Sequence, residues 1–184
     1  MTDINFQRIA AEPDSRGADG APAAPRTDLR WDIIELLFFA YRDFVGDADH
    51  ELEAFGFGRA HHRVMHFVHR YPGLKVADLL DVLRITKQSL GRVLKQLVDE
   101  AYVVQKEGEN DRRQRLLFVT PKGEQLAMKL AGLQTERIAR ALGEIGPNAH
   151  EAARRFLVAM IDADGRDDVQ KLIARADRAR RPRS

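Results

Sequence analysis

Residues 76–120 read VADLLDVLRITKQSLGRVLKQLVDEAYVVQKEGENDRRQRLLFVT, and this stretch predicts the fold of the chain. A short apolar helix leads through a corner near Arg84 and Ile85 into a longer amphipathic helix. Two strand-like segments follow, separated by an arginine-rich polar loop. This order of elements is typical of a winged helix-turn-helix, in which the second helix enters the major groove of DNA.

The second helix of this stretch, residues 86–99, separates apolar from basic side chains. From Leu90 onward, leucine and valine recur at i, i+3, i+4, i+7 and i+8, which gives one face that must be buried. From Arg84 to Lys95 there are four bases and no acid, and acids return only where the helix ends. Thr86 can cap the helix through its hydroxyl. We therefore predict that residues 86–99 form a recognition helix.

The polar residues of this helix have the chemistry for DNA contacts. Arg92 can bond a guanine edge in bidentate fashion, and Gln88 can do the same with adenine. Lys87 and Lys95 suit phosphates, which position a helix without specifying sequence. The predicted DNA contacts of the helix are Thr86, Lys87, Gln88, Ser89, Arg92 and Lys95. A solvated amphipathic helix without a partner would show the same pattern.

The segment after the recognition helix predicts a hairpin, with strands rich in Val, Leu and Phe around the polar tip EGENDRRQ. An arginine on such a tip can enter the minor groove and read its width and potential. The Asp111 carboxylate alone would repel phosphate, so we predict that its role is to orient a neighbouring arginine. The wing, residues 106–115, adds Arg112, Arg113 and Arg115 to the predicted contacts. A tip that serves only solubility has the same composition.

The helices before the motif carry more apolar surface than a small monomer can bury. The first predicted helix starts near Thr27 or Asp28, ends at Gly46 and is apolar over more than one stripe. A helix that is apolar nearly all round is buried on several sides. Because so small a chain cannot bury all of these sides itself, we expect a second subunit to cover the rest. Residues 47–58, acidic and then rich in glycine, predict a connection. The next helix spans residues 59–70.

The chain after the motif predicts further helices. Pro121 suits the first turn of a long helix that Thr120 caps and that runs to about Gly146. A second helix follows, Gly165 interrupts the pattern, and a last apolar piece leads into the basic tail RADRARRPRS.

Composition limits the classes of function. Net charge is +2, but residues 1–60 hold 12 acids and 6 bases whereas the remainder holds 16 acids and 24 bases, a distribution that favours a polyanionic partner weakly. Cysteine is absent, which excludes disulfides, thiolate metal sites and a thiol switch, and a cytoplasmic location is the simplest interpretation. Residues 1–26 have few large apolar side chains and predict a mobile tail, or one that docks on a partner subunit.

Four histidines, His61, His62, His66 and His69, lie in the second predicted helix, and the last three are spaced i, i+4, i+7. They form either a polar helix face or a divalent metal site or pH switch. A metal-dependent enzyme built on this helix is a remote alternative, because the sequence has no nucleophile–base pair, no phosphate-binding glycine loop and no paired metal motif. We predict a protein that is not an enzyme and has no cofactor.

Residues 74–126 resemble the MarR family of bacterial transcriptional regulators. The resemblance lies in ITKQSLGRVLKQLVDEAYV, in DRRQR of the wing and in LFVTPKGEQL. The family's Asp-x-Arg, Leu-Thr and glycine correspond to Asp111, Arg113, Val119-Thr120 and Gly123. Ala101 stands where the family often has glycine. The order and length of the flanking helices extend the resemblance to about residues 27–180.

The resemblance implies a homodimer whose two recognition helices meet successive major grooves of a near-palindromic double-stranded operator. It divides the chain into an N-terminal dimerisation helix with the first core helices at 27–72, a DNA-binding lobe at 73–120 and C-terminal dimerisation helices at 121–180. The fold is thus expected to be mainly α with a small β-hairpin wing.

The resemblance also implies a repressor that a small aromatic or phenolic effector releases. Candidate pocket residues are Trp31, Phe38, Tyr41, His62 and His66, although aromatic rings in such a pattern more often belong to a core than to a ligand pocket. An effector-independent activator or an architectural DNA-binding protein remains the alternative.

Overall fold

The chain folds into seven helices and a three-stranded sheet within residues 29–108 and 111–180, the part that the computed structural model describes. The elements are α1 (Trp31–Glu53), α2 (Arg59–Arg70), β1 (Leu74–Lys75), α3 (Val76–Leu83), α4 (Lys87–Asp99), β2 (Val103–Glu107), β3 (Arg115–Val119), α5 (Pro121–Ile145), α6 (Ala149–Ala159) and α7 (Ala163–Arg180). The mainly helical winged architecture is the one predicted. No helix in these ranges is long and apolar enough to cross a membrane.

The sheet is antiparallel throughout, with β3 between β1 and β2. Val103 of β2 lies opposite Val119 of β3, and the ladder extends outward to Glu107 opposite Arg115. On the other edge, Leu74 of β1 pairs with Leu117. The sequence predicted the β2–β3 hairpin but not β1, because two residues are too few to show an alternating pattern.

The core lies between α2, α3, α4, the sheet and the first half of α5. The apolar stripe predicted for α4 is buried, which confirms the orientation of that helix. Fully buried side chains from five other elements meet this stripe, among them Leu52, Met65, Leu79, Leu117 and Leu130. The polar side of α4 therefore faces outward.

A close junction fixes α5 against the end of α4. The Thr120 hydroxyl accepts the Gly123 N–H at 3.0 Å, which confirms the predicted cap, and donates to the Ala101 carbonyl at 2.7 Å. A Cβ at position 123 would lie 2.0 Å from the Tyr102 carbonyl oxygen, so only glycine permits this approach. The TPKG sequence thus sets how closely α5 packs on the DNA-binding lobe.

The predicted limits of the first helix were wrong. α1 begins at Trp31 after Arg30, without a side-chain cap, and Thr27 and Asp28 lie outside the described residues. It continues through Gly46 to Glu53, so most of the predicted connection at 47–58 is helical. The physical reason is tertiary contact, because α5 and the core hold the segment that the glycine would weaken.

These contacts are specific. Asp47 accepts two hydrogen bonds from the Arg137 guanidinium of α5, at 2.9 and 3.0 Å. Ala48, the residue after Asp47, and Leu52, somewhat more than one turn further on, are completely buried.

The predicted break at Gly165 was also wrong, since α7 starts at Ala163 and includes this glycine. The break falls earlier, at residues 160–162, where the Arg166 guanidinium donates to the carbonyls of Ala159 and Ile161 at 2.9 Å each. α7 extends to Arg180, so most of the predicted basic tail is helical. Residues 181–184 and the predicted N-terminal tail lie outside the described residues.

Candidate nucleic-acid interface

A left-handed corner and a hydroxyl cap set the start of α4. Arg84 adopts φ 49°, and the carbonyl of Leu83 accepts a hydrogen bond from Arg63 of α2 at 2.9 Å. Thr86 then caps α4 by accepting the Ser89 N–H at 3.2 Å, as predicted. The first turn of α4 therefore leaves the corner fully exposed, with its unpaired N–H groups toward solvent.

The outward face of α4 carries the predicted contacts in one exposed patch. Its exposed residues are Lys87, Gln88, Ser89, Gly91, Arg92 and Lys95. Lys95 forms an ion pair with Asp99 one turn later, at 2.5 Å, and the pair is well exposed. An exposed pair of this kind contributes little to stability, so the lysine can exchange partners at small cost.

Backbone hydrogen bonds close the wing tip. Gly108 N–H donates to the Gln114 carbonyl at 3.1 Å, and Gln114 N–H donates to the Asp111 carbonyl at 3.0 Å. The Asp111 carboxylate accepts the backbone N–H of Arg113 at 2.9 Å. Asp111, predicted to orient a neighbouring arginine, thus contacts Arg113 through the main chain. Arg115, at the base of the wing, pairs with Glu107 at 2.9 Å.

An open groove of about 1210 Å³ lies between α4, the start of α3 and the wing. Its ionisable lining residues are the bases Lys75, Lys87, Lys95, Arg113 and Arg115 and the acids Asp78 and Asp99. The excess of positive charge in a concave surface favours a polyanion. The structure therefore brings recognition-helix and wing residues into one groove. The other predicted contacts are exposed beyond its lining: Thr86, Gln88, Ser89, Arg92 and Arg112.

Lys75 is a groove residue that the sequence analysis missed. It lies on β1, and its position follows from the pairing of Lys75 with Leu116 of β3. The only signal in the sequence is a base directly before the first helix of the motif.

A second cleft, of about 310 Å³, lies between α1, α2 and α5. Three of the five predicted effector residues, Tyr41, His62 and His66, line it, but Trp31 and Phe38 do not. His62 is buried, and burial lowers its pKa, while attraction to Asp49 opposes this to a smaller extent. The cleft thus presents a neutral imidazole beside the Arg59 guanidinium, which is itself held by Asp49 at 2.7 and 3.0 Å.

The histidine helix does not form a metal site in the described residues, where no group of three or more His, Asp or Glu side chains is arranged to hold an ion. His62, His66 and His69 line a cavity of only about 50 Å³ with Arg70. His61 points elsewhere and contacts Gln96 of α4. The geometry offers no support for a metal-dependent enzyme on this helix.

Exposed apolar side chains cover the first half of α1 and part of α6. Trp31, Leu36 and Phe38 are 60, 61 and 72% exposed. On α6, Phe156 and Leu157 are 49 and 58% exposed. An exposed apolar surface of this extent is typical of a protein–protein interface.

Comparison with known proteins agrees with this architecture. The family model described as "MarR family" matches residues 55–114, from the turn before α2 to the wing. The HTH-type transcriptional regulator PetP of Rhodobacter capsulatus is 45% identical over 139 residues, which cover 76% of this chain and 84% of that protein.

Solved structures share the fold at lower identity. A putative MarR family transcriptional regulator from Listeria monocytogenes, complexed with 26mer DNA, has a TM-score of 0.63 at 21% identity and covers 76% of this chain and 95% of its own. Streptococcus pneumoniae FabT in complex with DNA has a TM-score of 0.63 at 14% identity and covers 70% and 92%. The identity to PetP over three quarters of the chain, together with the winged helix and its basic groove, establishes that this protein belongs to the MarR family of transcriptional regulators.

Proposed function

We propose that the chain is a homodimeric repressor that binds a near-palindromic double-stranded operator through α4 and the wing. The observation that carries this proposal is the basic groove, in which five bases and two acids from α3, α4, β1 and the wing line one concave surface. A groove of this charge attracts the phosphate backbone, and the exposed α4 face supplies groups that read base edges.

The contacts divide into two sets. Gln88 and Arg92 on α4 read base edges in the major groove, while Lys87 and Lys95 hold phosphates. Arg113 enters the minor groove, and its backbone is already ordered by Asp111. Lys95 exchanges its exposed pairing with Asp99 for phosphate, so little stability is lost on binding.

The proposed dimer supplies a second α4 and a second wing for the other half of the operator. The exposed apolar faces of α1 and α6 support it, because a second copy would remove them from water. The two structural relatives described above were solved with DNA, which supports the same mode here. Two α4 helices would then reach half-sites about one helical turn apart, roughly 34 Å.

The cleft lined by Tyr41, His62 and His66 supports an effector site for a small aromatic or phenolic ligand. Its volume of about 310 Å³ is at the lower end of the range for small-molecule pockets, roughly 300–1,000 Å³. A ligand there would wedge between α1 and α2 and change the separation of the two DNA-binding lobes. This is the step by which we propose that the repressor is released.

The test begins with selection of bound duplexes from a random pool, followed by affinity measurements on the enriched site and on a scrambled duplex. Arg92→Ala should lose about 1–3 kcal/mol on the enriched site and little on the scrambled one. Arg113→Ala should weaken both and reduce the salt slope by about 1. Lys171→Ala is the control, because it removes a base on α7, outside the groove. This variant should bind both duplexes as tightly as wild type.

Two results would contradict the proposal. If the wild-type protein enriched no duplex, the proposal that it binds DNA would be wrong. If Arg92→Ala and Arg113→Ala bound as tightly as wild type, the assignment of the DNA-binding surface to α4 and the wing would be wrong. Mapping the site against its promoter tests repression, because overlap with the polymerase site supports it and an upstream site favours an activator. Release of the duplex by phenolic compounds, abolished in His62→Leu, tests the effector cleft.

A further inference from the structure

His61 lies in the first turn of α2 and joins it to the recognition helix by a continuous chain of hydrogen bonds. The Gly58 backbone N–H donates to His61 Nδ1 at 3.1 Å. His61 Nε2 lies 2.9 Å from the Gln96 side-chain oxygen, and the Gln96 amide nitrogen donates to Glu100 at 3.0 Å. Gln96 is half-buried, so this chain runs on the inner side of α4.

The two groups at the ends of this series of hydrogen bonds each have a fixed role as donor or acceptor. A backbone N–H only donates, and an ionised carboxylate only accepts. The Gln96 amide nitrogen must therefore face Glu100 and its oxygen must face His61, while Nδ1 of the ring must be unprotonated. The ring proton then lies on Nε2 and completes the bond to Gln96. Only the neutral imidazole, in this one tautomer, satisfies every partner.

Aromatic packing holds the ring in the plane that the chain needs. The Phe57 ring stacks on His61 with centroids 4.7 Å apart and planes 12° from parallel. Phe57 is itself buried and meets the Tyr102 ring edge-on at 5.1 Å. The imidazole is thus clamped between the turn before α2 and the end of α4.

We propose that His61 is a positioning residue for DNA recognition, which sets the rotation of α4 through Gln96; this inference rests on the proposed function. Gln96 follows Gln88 and Arg92 by two turns and one turn on the same helix. A change in the rotation of α4 at Gln96 therefore moves the groups that read base edges, whose bidentate contacts depend on geometry.

The test compares His61→Gln with His61→Leu on the duplex selected from the random pool. A glutamine at this position of α2 can accept from the Gly58 N–H, as in a capping box, and its amide can donate to Gln96. We expect His61→Gln to bind close to wild type and His61→Leu to bind about tenfold more weakly, with less loss on a scrambled duplex.

The comparison of the two duplexes supplies a second readout. A merely structural contribution of the side chain would lower the affinity for the selected and the scrambled duplex equally in His61→Leu, whereas a loss confined to the selected duplex and rescued in His61→Gln supports the positioning role.

Gln96→Met removes the partner while keeping the shape of the side chain, so it should weaken binding as His61→Leu does, and the double variant should be no weaker than either one. Amide exchange in α4 should rise in all three. Unchanged affinity in Gln96→Met, or equal losses of affinity in His61→Gln and His61→Leu, would overturn the proposal. A wild-type protein that binds no duplex would instead contradict the proposed function.

Discussion

Ala101 adopts φ +58° in the turn between α4 and β2, a left-handed conformation that L-residues with a Cβ rarely take. Its position is fixed on both sides, because its N–H donates to the Val98 carbonyl at 3.0 Å and its own carbonyl accepts from the Thr120 hydroxyl at 2.7 Å. The MarR family resemblance had identified this position by its usual glycine. The turn therefore keeps its geometry here at the expense of local strain.

Replacement of this residue by glycine should stabilise the protein. The left-handed conformation costs an alanine about 1–2 kcal/mol, whereas glycine adds about 0.5–1 kcal/mol of unfolded-state entropy, so Ala101→Gly should gain about 0.5–1 kcal/mol. Urea unfolding monitored by circular dichroism measures this difference. The matched control is Ala139→Gly, exposed in the middle of α5, which should lose about 1 kcal/mol. A loss of stability in Ala101→Gly would contradict the strain argument.

At the scale of elements, a pair of charges joins α1 to α5. The Arg137 guanidinium donates two hydrogen bonds to Asp47, one turn before the buried Leu52 region of α1. These hydrogen bonds, aided by the charges of Arg137 and Arg140, lower the pKa of Asp47. This contact lies in the segment of α1 that extends beyond Gly46, so it helps to explain why the helix does not end there.

The lowered pKa of Asp47 predicts a pH dependence of stability. A carboxyl whose folded pKa is below its unfolded value, about 3.9, contributes stability above that unfolded value and loses it as pH falls through the folded pKa. Wild type should therefore lose more stability on acidification than Asp47→Asn, measured by urea midpoints at constant protein concentration. Arg137→Met should follow the Asp47→Asn profile, because either change removes the same pair. Parallel profiles for all three proteins would exclude this contribution.

At the scale of the whole molecule, the exposed apolar surface and the basic groove lie on different elements. The groove belongs to α3, α4 and the sheet, whereas the exposed apolar side chains lie mainly on α1, α5 and α6. α5 connects the two, since its first turn packs on Tyr102 and its later part carries exposed Ile138 and Ile145. A dimer formed through the apolar helices would thus set the spacing of the two grooves.

The expected assembly has a mass twice the 20.9 kDa of the chain, measured by light scattering after size exclusion. Phe38→Glu places a charge on the most exposed aromatic side chain of α1 and should shift the protein to monomer, since an unpaired charge in an apolar interface is costly. Its affinity for the selected duplex should fall even though α4 is unchanged. Val82→Lys, an exposed apolar position on α3, is the control and should remain dimeric. A monomeric wild-type protein would contradict this arrangement.

The sequence by itself determined the elements of the DNA-binding lobe. The stripe from Leu90, the cap at Thr86, and the Thr120–Pro121 helix start are local patterns, because each depends on neighbours within about two turns of helix. The structure confirms all three. The same locality explains why the outward, basic face of α4 and the wing tip were predictable from the spacing of side chains alone.

Contacts between residues distant in the chain decided the rest. Gly46 remains inside a helix because Arg137, 90 residues later, holds Asp47. Lys75 joins the groove because β1 pairs with β3, and His61 meets Gln96 because α2 packs across α4. None of these pairings leaves a periodic signal in the sequence, since each requires only one compatible side chain at each end. Tertiary packing therefore determines which polar groups meet, and the local pattern determines only which side of each element they occupy.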